Sequence, residues 1–290
     1  YLLYGGITMI LLVAILLLIG FQRKKKANIE IQEQKQIVEQ KNQEITDSIQ
    51  YAKRIQSAIL PPDKIVKEYL QDSFVVYLPK DIVAGDFYWL EHKDDKILFA
   101  AADCTGHGVP GAMVSVVCNN GLNRAVREHG LTDPGKILDK TREIVVAEFE
   151  KSEEEVKDGM DIALCCLEGN TLHYAGAHNP LWIIRSGAEE IEEIKADKQP
   201  IGKSERPLPY TTHKIDLQKG DSIYVFSDGY ADQFGGEKGK KMKTVNFKAL
   251  LLSMRTEPME KQQHLIRKAF DQWKGDLEQL DDVCVIGVRV

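Results

Sequence analysis

The hydrophobic positions are concentrated at the start of the chain. Residues 1–21 contain no charged side chain and are mostly Leu and Ile. A helix rises about 1.5 Å per residue, so this segment spans the roughly 30 Å hydrocarbon core of a bilayer. A basic cluster at 23–26 follows at once, the reverse of the order in a secretory signal peptide. The pattern predicts a transmembrane helix over 1–21, with the following chain in the cytoplasm.

A polar helical pattern comes next. Residues 28–60 contain no Gly or Pro, and Pro61-Pro62 ends the predicted helix. Apolar side chains recur there at heptad spacing: Ile31, Val38, Ile45, Ala52 and Ile59. The partner row of the heptad is mostly polar, at Gln34, Lys41 and Ser48. We therefore expect 22–62 to be a basic flank and a marginal, coiled-coil-like signalling helix. Both a homodimer through 28–60 and a solvated stalk remain open.

The third region, 63–290, has the length of one domain. Short apolar runs alternate there with amphipathic helical segments, and several runs are joined as hairpins, such as 162–167 with 171–175. Because hairpins predominate over β-α-β alternation, we predict an α+β fold with largely antiparallel sheets and helices outside them. The Gly/Lys-rich segment 235–243 is predicted to be a solvated loop.

Composition excludes some functions. The net charge of -6 and the isoelectric point near 5.7 give no electrostatic basis for nucleic-acid binding. The five cysteines have neither zinc-site spacing nor a phosphate-cradling loop, which argues against a cysteine phosphatase and suits a reducing compartment. The chain begins at Tyr1 rather than Met, so we expect it to be part of a longer protein.

Acidic residues lie at the ends of several predicted strands. They are Asp86, Asp103, Asp228 and the pair Asp281-Asp282. Carboxylates at the ends of buried strands are costly unless a positive charge lies between them, and hard divalent cations prefer such oxygen ligands. The pattern predicts a two-metal hydrolytic site. A fifth acid, Asp161, lies at the start of a predicted strand and is interpreted as part of a capped turn, with an outer metal ligand as the alternative.

The segment 106–111 matches Gly-x-Gly-x-x-Gly between a strand and a helix, the pattern of a dinucleotide site. The preceding strand, however, ends in Asp103, whose charge would repel a pyrophosphate. A glycine-rich turn also allows a main-chain carbonyl to approach a metal ion closely. We therefore favour the metal site.

Five motifs occur in one order along the chain: Gly85-Asp86-Phe87, Asp103-x-x-Gly106-His107-Gly108, Ala177-His178-Asn179-Pro180, Ser227-Asp228-Gly229 and Asp281-Asp282. Together they resemble the PPM-type metal-dependent protein serine/threonine phosphatases, in their SpoIIE-like bacterial branch. The resemblance covers residues 49–290. It implies a four-layer α-β-β-α sandwich of two mainly antiparallel sheets flanked by helices, with two Mn²⁺ or Mg²⁺ ions at one edge.

The resemblance also implies a ligand set. Asp103 would bridge both metal ions and so be catalytic. Asp86 and the main-chain carbonyl of Cys104 would hold one ion, and Asp228 with Asp281 would hold the other. Cys104 stands where many relatives have Gly, which a main-chain ligand tolerates.

The resemblance suggests roles for three further residues, and each role has an alternative. Asp282 is the alternative metal ligand to Asp281. His107 stands two residues beyond the position of the proton donor of eukaryotic relatives, so its catalytic role is open between proton transfer and a structural hydrogen bond. Lys80 is a candidate substrate-binding residue that could contact phosphate.

The implied function is a membrane-tethered phosphatase that hydrolyses phosphoserine or phosphothreonine by attack of a water bridging two metal ions. Its partner would be a phosphorylated regulatory protein of the anti-sigma-factor-antagonist type, in partner-switching signalling. The implied location is the bacterial inner (cell) membrane, with a single span and a cytoplasmic catalytic domain. The alternative is a catalytically inactive signalling scaffold, although such a scaffold would not need to keep the acids. A sensor histidine kinase is disfavoured because 28–60 contains no His.

Overall fold

The computed structural model describes residues 2–152 and 156–290. Tyr1 of the predicted membrane span lies outside the described residues. The helices are α1 Leu2–Ile59, α2 Asp63–Tyr69, α3 Gly108–Arg127, α4 Pro134–Phe149, α5 Gly229–Asp232, α6 Lys243–Ser253 and α7 Met259–Lys274. The strands are β1 Ser73–Leu78, β2 Phe87–Lys93, β3 Lys96–Cys104, β4 Met160–Glu168, β5 Thr171–Ala177, β6 Leu181–Ile184, β7 Glu192–Ile194, β8 His213–Asp216, β9 Ser222–Phe226, β10 Phe234–Gly235, β11 Lys240–Lys241 and β12 Val283–Arg289.

Helix α1 begins the described chain and carries both the apolar segment and the heptad seam. Among the described residues it is the one helix long and apolar enough to cross a membrane. Ala52–Val290 form one compact unit, and the preceding part of the chain is a separate unit. The compact unit thus begins at Ala52, before the boundary at 63 expected from the sequence. The reason is that Gln56 is buried in it and Leu60 packs on its core.

The compact unit contains two five-stranded sheets. One has the strand order β1-β12-β9-β6-β7, and the other β2-β3-β4-β5-β8. All strand pairings within these two sheets are antiparallel. The expected antiparallel sheets are therefore confirmed. The predicted solvated loop at 235–243 instead contains the short hairpin β10–β11.

The strands alternate their side chains between two apolar layers. In β3, Leu98 and Ala100 pack towards α3 and α4, whereas Phe99 and Ala101 pack between the sheets. A third apolar layer, including Trp182 and Phe247, lies between the other sheet and helices α6 and α7. The layers are α-β-β-α, so the expected four-layer sandwich is confirmed.

The antiparallel order brings several strand ends to one edge. In the second sheet, the end of β3 lies beside the starts of β2 and β4, because Ala102 pairs with Phe87 and Asp103 pairs with Asp161. In the first sheet, the end of β9 lies beside the start of β12, where Phe226 pairs with Val285. These ends carry the acidic residues singled out in the sequence.

Candidate active site

A cavity of about 270 Å³ opens at this edge of the sandwich. Four carboxylates from both sheets line it: Asp103, Asp161, Asp228 and Asp281. The residues 104–107 of the glycine-rich turn form another part of its wall. The structure thus brings together acids that are far apart in the sequence.

Among the acids that line the cavity, Asp103 has the most strongly raised pKa. Burial raises the pKa of its carboxyl to about 8, and the charges of Asp228 and Asp281 act in the same direction. The main-chain N–H of Asp228 donates a hydrogen bond to Asp103, which partly opposes this effect. Burial raises the pKa of Asp228 as well. In the absence of a cation, Asp103 and Asp228 therefore bind protons more tightly than ordinary aspartates do.

Asp86 is buried and does not line the cavity. Its relative exposure is 2%, and burial followed by the charge of Asp103 raises the pKa of its carboxyl well above the ordinary range. Ser227 hydrogen-bonds to this carboxyl, yet the second oxygen, Oδ2, has no hydrogen-bond partner. A buried carboxylate oxygen without a partner is rare and costly, and a cation beside it would remove the cost.

Glycine packing holds the Asp86 loop against the turn at 104–108. A Cβ atom on Gly85 would lie 2.3 Å from the carbonyl oxygen of Gly106 and 3.1 Å from that of Cys104. A Cβ atom on Gly111 would lie 2.1 Å from the same Gly106 oxygen. The Gly-x-Gly-x-x-Gly pattern therefore serves close packing here, and it places the Cys104 carbonyl beside the Asp86 loop.

These features fit divalent cations. Carboxylate and carbonyl oxygens are the ligands that Mg²⁺ and Mn²⁺ prefer, and cations between the acids would offset both the burial and the repulsion that raise the pKa values of Asp86, Asp103 and Asp228. No three His, Cys, Asp or Glu side chains of residues 2–152 and 156–290 already converge into a ready-made metal site. The fit rests instead on the orphaned Asp86 oxygen, the Cys104 carbonyl and the cavity between the acids.

The structure distinguishes Asp281 from Asp282. Asp281 lines the cavity. The Asp282 carboxylate is buried, with 1% relative exposure, and accepts hydrogen bonds from the main-chain N–H groups of Lys80 and Gly85, each at 2.7 Å. Asp282 thus fixes the loop that carries Asp86, and both of its oxygens are already engaged.

His107 and Lys80 are hydrogen-bonded to each other near the mouth of the cavity. Lys80 Nζ lies 3.0 Å from His107 Nε2, and Asp81 Oδ2 lies 2.9 Å from His107 Nδ1. An ammonium group can only donate, so Nε2 accepts and the proton on Nδ1 is donated to Asp81. In this arrangement His107 is neutral, and it orients the Lys80 side chain.

Sequence reasoning missed two contributors to the cavity wall and preferred a turn for a third. Lys157 and Lys203 both line the cavity and give its acidic wall a cationic side. They lie in irregular segments, and an isolated lysine gives no signal of such a position. Asp161 was interpreted as part of a capped turn, but it lies in β4 opposite Asp103 and lines the cavity. That interpretation was wrong because Asp161 pairs with a distant strand, a contact that the local sequence does not show. The alternative, an outer metal ligand, stays a prediction.

Gln56 is a further residue without a sequence signal. It lies near the end of α1 with 6% relative exposure. Its Nε2 donates to the carbonyl of Ala84 at 2.5 Å, and its Oε1 accepts from the N–H of Ala84 at 3.1 Å. Nε2 also donates to Ser115 Oγ on α3 at 3.0 Å. Gln56 therefore fixes the residue that directly precedes Gly85-Asp86.

Comparisons with known proteins agree with this fold. The family model described as Stage II sporulation protein E (SpoIIE) matches residues 93–290. The SiaA-PP2C domain of Pseudomonas aeruginosa has 30% identity and a TM-score of 0.77, covering 86% of this chain and 98% of that one. The PP2C phosphatase domain of SpoIIE from Bacillus subtilis has 18% identity and a TM-score of 0.60, covering 75% of this chain and 62% of that one, and it shows the shared fold.

A curated relative gives a similar result. The phosphoserine phosphatase RsbU of Bacillus subtilis (strain 168) is 25% identical over 195 residues, which is 66% of this chain and 55% of that protein. The chain thus spans about half the length of this relative.

The raised pKa of Asp103 makes metal-free stability depend on pH. Because the folded pKa of about 8 exceeds the unfolded value of about 3.9, the folded state binds this proton more tightly. The contribution of Asp103 to the free energy of unfolding should be highest below about pH 4 and fall as the pH rises to about 8. Asp103→Asn should reduce this fall, measured as Tm against pH for the chain in detergent with chelator. The exposed control Asp72→Asn should keep the wild-type slope, and an unchanged slope in Asp103→Asn would contradict the assignment.

Removing the Gln56 amide should loosen the Asp86 loop. Gln56→Leu leaves the buried N–H and carbonyl of Ala84 without partners, so we expect a loss of about 1–3 kcal/mol of stability. It should also weaken Mn²⁺ binding measured by calorimetry. The same substitution at Gln50, an exposed position of α1, is the matched control and should change neither quantity. Equal behaviour of the two variants would show that Gln56 does not support the loop.

Proposed function

Because the chain belongs to the SpoIIE family of PP2C-type phosphatase domains, we propose that it is a metal-dependent phosphatase of phosphoserine or phosphothreonine on a regulatory protein. The observation that carries this proposal is the cavity in which carboxylates of both sheets face one another beside the orphaned Asp86 oxygen. A site of this composition attracts divalent cations and, through them, phosphate. The experiment that tests it is a metal-dependent hydrolysis assay.

The residues divide into two ligand groups. We propose that Asp103 contacts two cations, that Asp86 and the Cys104 carbonyl hold one, and that Asp228 and Asp281 hold the other. Asp281 is preferred to Asp282 because Asp281 lines the cavity, whereas both carboxylate oxygens of Asp282 accept main-chain hydrogen bonds. Bound Mn²⁺ or Mg²⁺ ions would supply a nucleophile active at neutral pH and would neutralise charge on the phosphate.

The protein needs no nucleophilic side chain for this reaction. The Cys104 thiol is buried, and burial raises its pKa well above the ordinary value, so it is not a thiolate at neutral pH. Lys80, Lys157 and Lys203 lie at or near the cavity, where their charges favour phosphate binding. His107 and Asp81 would hold Lys80 in place, which makes both of them positioning residues.

The substrate class extends this proposal. The similarity to a phosphoserine phosphatase, RsbU, supports a phosphorylated regulatory protein of the anti-sigma-factor-antagonist type as the partner. The length and composition of α1 support a single membrane tether, and the basic residues at 23–26 support a cytoplasmic location of the compact unit.

Regulation through α1 is part of the same proposal. The helix continues without interruption from the heptad seam to Gln56, and Gln56 holds the main chain beside Asp86. A change in the association of the seam can therefore alter the position of Asp86 and the affinity for one cation. Such a two-state change requires only a few kcal/mol of differential stability.

The first assay uses the chain in detergent. With Mn²⁺ it should hydrolyse both para-nitrophenyl phosphate and a phosphoserine peptide, and excess chelator should abolish both activities. Asp103→Asn should lower kcat/KM by about a hundredfold or more, because the group common to both cations is lost. Asp72→Asn serves again as the exposed control. Full activity of Asp103→Asn at ordinary Mn²⁺ concentrations would refute the bridging role.

The second assay concerns the seam. Lys41→Leu combined with Ser48→Leu fills the polar heptad row and should stabilise a dimer of α1. We expect the activity of the double variant to differ from that of the wild type more at limiting than at saturating Mn²⁺. Light scattering on the same samples gives the mass and so reports whether the chain is a dimer. If it dimerises while its Mn²⁺ titration overlays that of the wild type, α1 acts only as a tether.

A further inference from the structure

A cluster of lysines lies on a short hairpin at the cavity edge. We call residues 234–243, which contain β10, β11 and the turn between them, the basic hairpin. Four of the six residues 238–243 are lysine, although the whole chain carries a net charge of -6. The cluster is therefore a local reversal of the overall charge.

The base of the basic hairpin is firmly attached to the active-site edge. Gln233 is fully buried, and its Oε1 accepts from the N–H of Leu280 while its Nε2 donates to the carbonyl of Glu278. Its main-chain carbonyl accepts from Trp273 Nε1 and from the N–H of Met242. Gln233 thus links both ends of the hairpin to the segment that leads into Asp281.

The hairpin itself is held by its glycines. The N–H of Gly236 donates to the carbonyl of Trp273 at 2.7 Å, and a Cβ atom on Gly235 would lie 1.8 Å from that same oxygen. Gly236 and Gly239 both have positive φ, and the N–H of Gly239 donates to the Gly236 carbonyl. The lysines are consequently presented on an ordered turn rather than on a free loop.

The lysines fall into two groups. Lys241 forms an ion pair with Asp232 at 2.8 Å. Lys238, Lys240 and Lys243 are exposed, and none of them has a carboxylate partner within the described part of the chain. Three uncompensated charges are thus available to another molecule.

The basic hairpin lies close to the cavity. Asp232, the partner of Lys241, donates its N–H to the carbonyl of Asp228 within α5. The Lys241–Asp232 ion pair is therefore one hydrogen bond away from Asp228, which lines the cavity. The hairpin is thus joined to the edge of the sandwich that carries Asp228 and Asp281.

We propose that Lys238, Lys240 and Lys243 of the basic hairpin form a docking surface for acidic residues of the phosphorylated protein, next to its phosphorylated residue. This inference rests on the phosphatase function proposed above and adds a substrate preference to it. The acids of the cavity repel an acidic partner at a distance, and the lysine cluster offsets that repulsion. Electrostatic steering of this kind raises association rates by about tenfold or more and weakens with salt.

The test compares two substrates in the wild type and a hairpin variant. The substrates are a phosphoserine peptide flanked by glutamate and the same peptide with glutamine at the flanking positions. The variant carries Lys238→Gln, Lys240→Gln and Lys243→Gln, and leaves the Lys241–Asp232 pair intact. The matched control removes the same charge at Lys136, Lys214 and Lys219, which are exposed and do not line the cavity.

We expect the hairpin variant to lose about tenfold in kcat/KM for the glutamate peptide, with no change for the glutamine peptide or para-nitrophenyl phosphate. The control triple should equal the wild type, and added salt should reduce the preference of the wild type for glutamate. Equal losses on all substrates, or no loss on the glutamate peptide, would overturn the docking surface. The Tm of each variant reports folding separately.

Binding separates this inference from the proposed activity. Fluorescence anisotropy of the labelled glutamate peptide, measured with Mn²⁺ in the Asp103→Asn background, reports docking without turnover. Loss of binding in the hairpin variant supports the docking surface even if the wild type hydrolyses no substrate, a result that would refute only the phosphatase function.

A parallel assay uses nanodiscs of phosphatidylcholine with or without phosphatidylserine. A hairpin effect that requires phosphatidylserine and is equal for all substrates would assign the lysines to lipid and overturn the proposal.

Discussion

The repulsion among clustered carboxylates is the constraint on which this site depends. Asp103, Asp228 and Asp281 face one cavity, and Asp86 is buried beside Asp103 with one oxygen unpaired. Loss of contact with water raises the pKa values of Asp86, Asp103 and Asp228, and the charges of neighbouring acids add to the effect. A fold tolerates such a cluster when the apolar layers around it supply the stability and a cation can enter between the acids. The sandwich meets the first condition with three separate apolar layers.

The loop at 80–86 connects the other parts of the molecule to this cluster. Asp282 binds its main-chain N–H groups from the start of β12, and Gln56 binds Ala84 from the end of α1. Gly85 rests directly on the Gly106 carbonyl. Three distant segments therefore determine the position of Asp86. The proposed regulation through α1 depends on this dependence of one carboxylate on several segments.

Both acidic and basic side chains lie at and near the cavity. Four acids and two lysines line it together: Asp103, Asp161, Asp228, Asp281, Lys157 and Lys203. Lys80 is held near the mouth by His107, and the basic hairpin extends from the same edge beyond Asp228. Under the proposed function, a phosphorylated protein would therefore meet positive charge from these lysines next to the acids of the cavity.

The sequence by itself predicted antiparallel sheets with helices outside them, because its short apolar runs are joined as hairpins, and the order of its motifs, through the family resemblance, implied the four layers. Glycine beside an acid at a predicted strand end marked the list of acids. The tertiary structure alone decided that Asp281 rather than Asp282 faces the cavity, since adjacent residues point in different directions and only the strand register orients them. It also decided that Gln56 is buried and that 235–243 is an ordered hairpin. These features depend on contacts between segments far apart in the chain, which local periodicity does not encode.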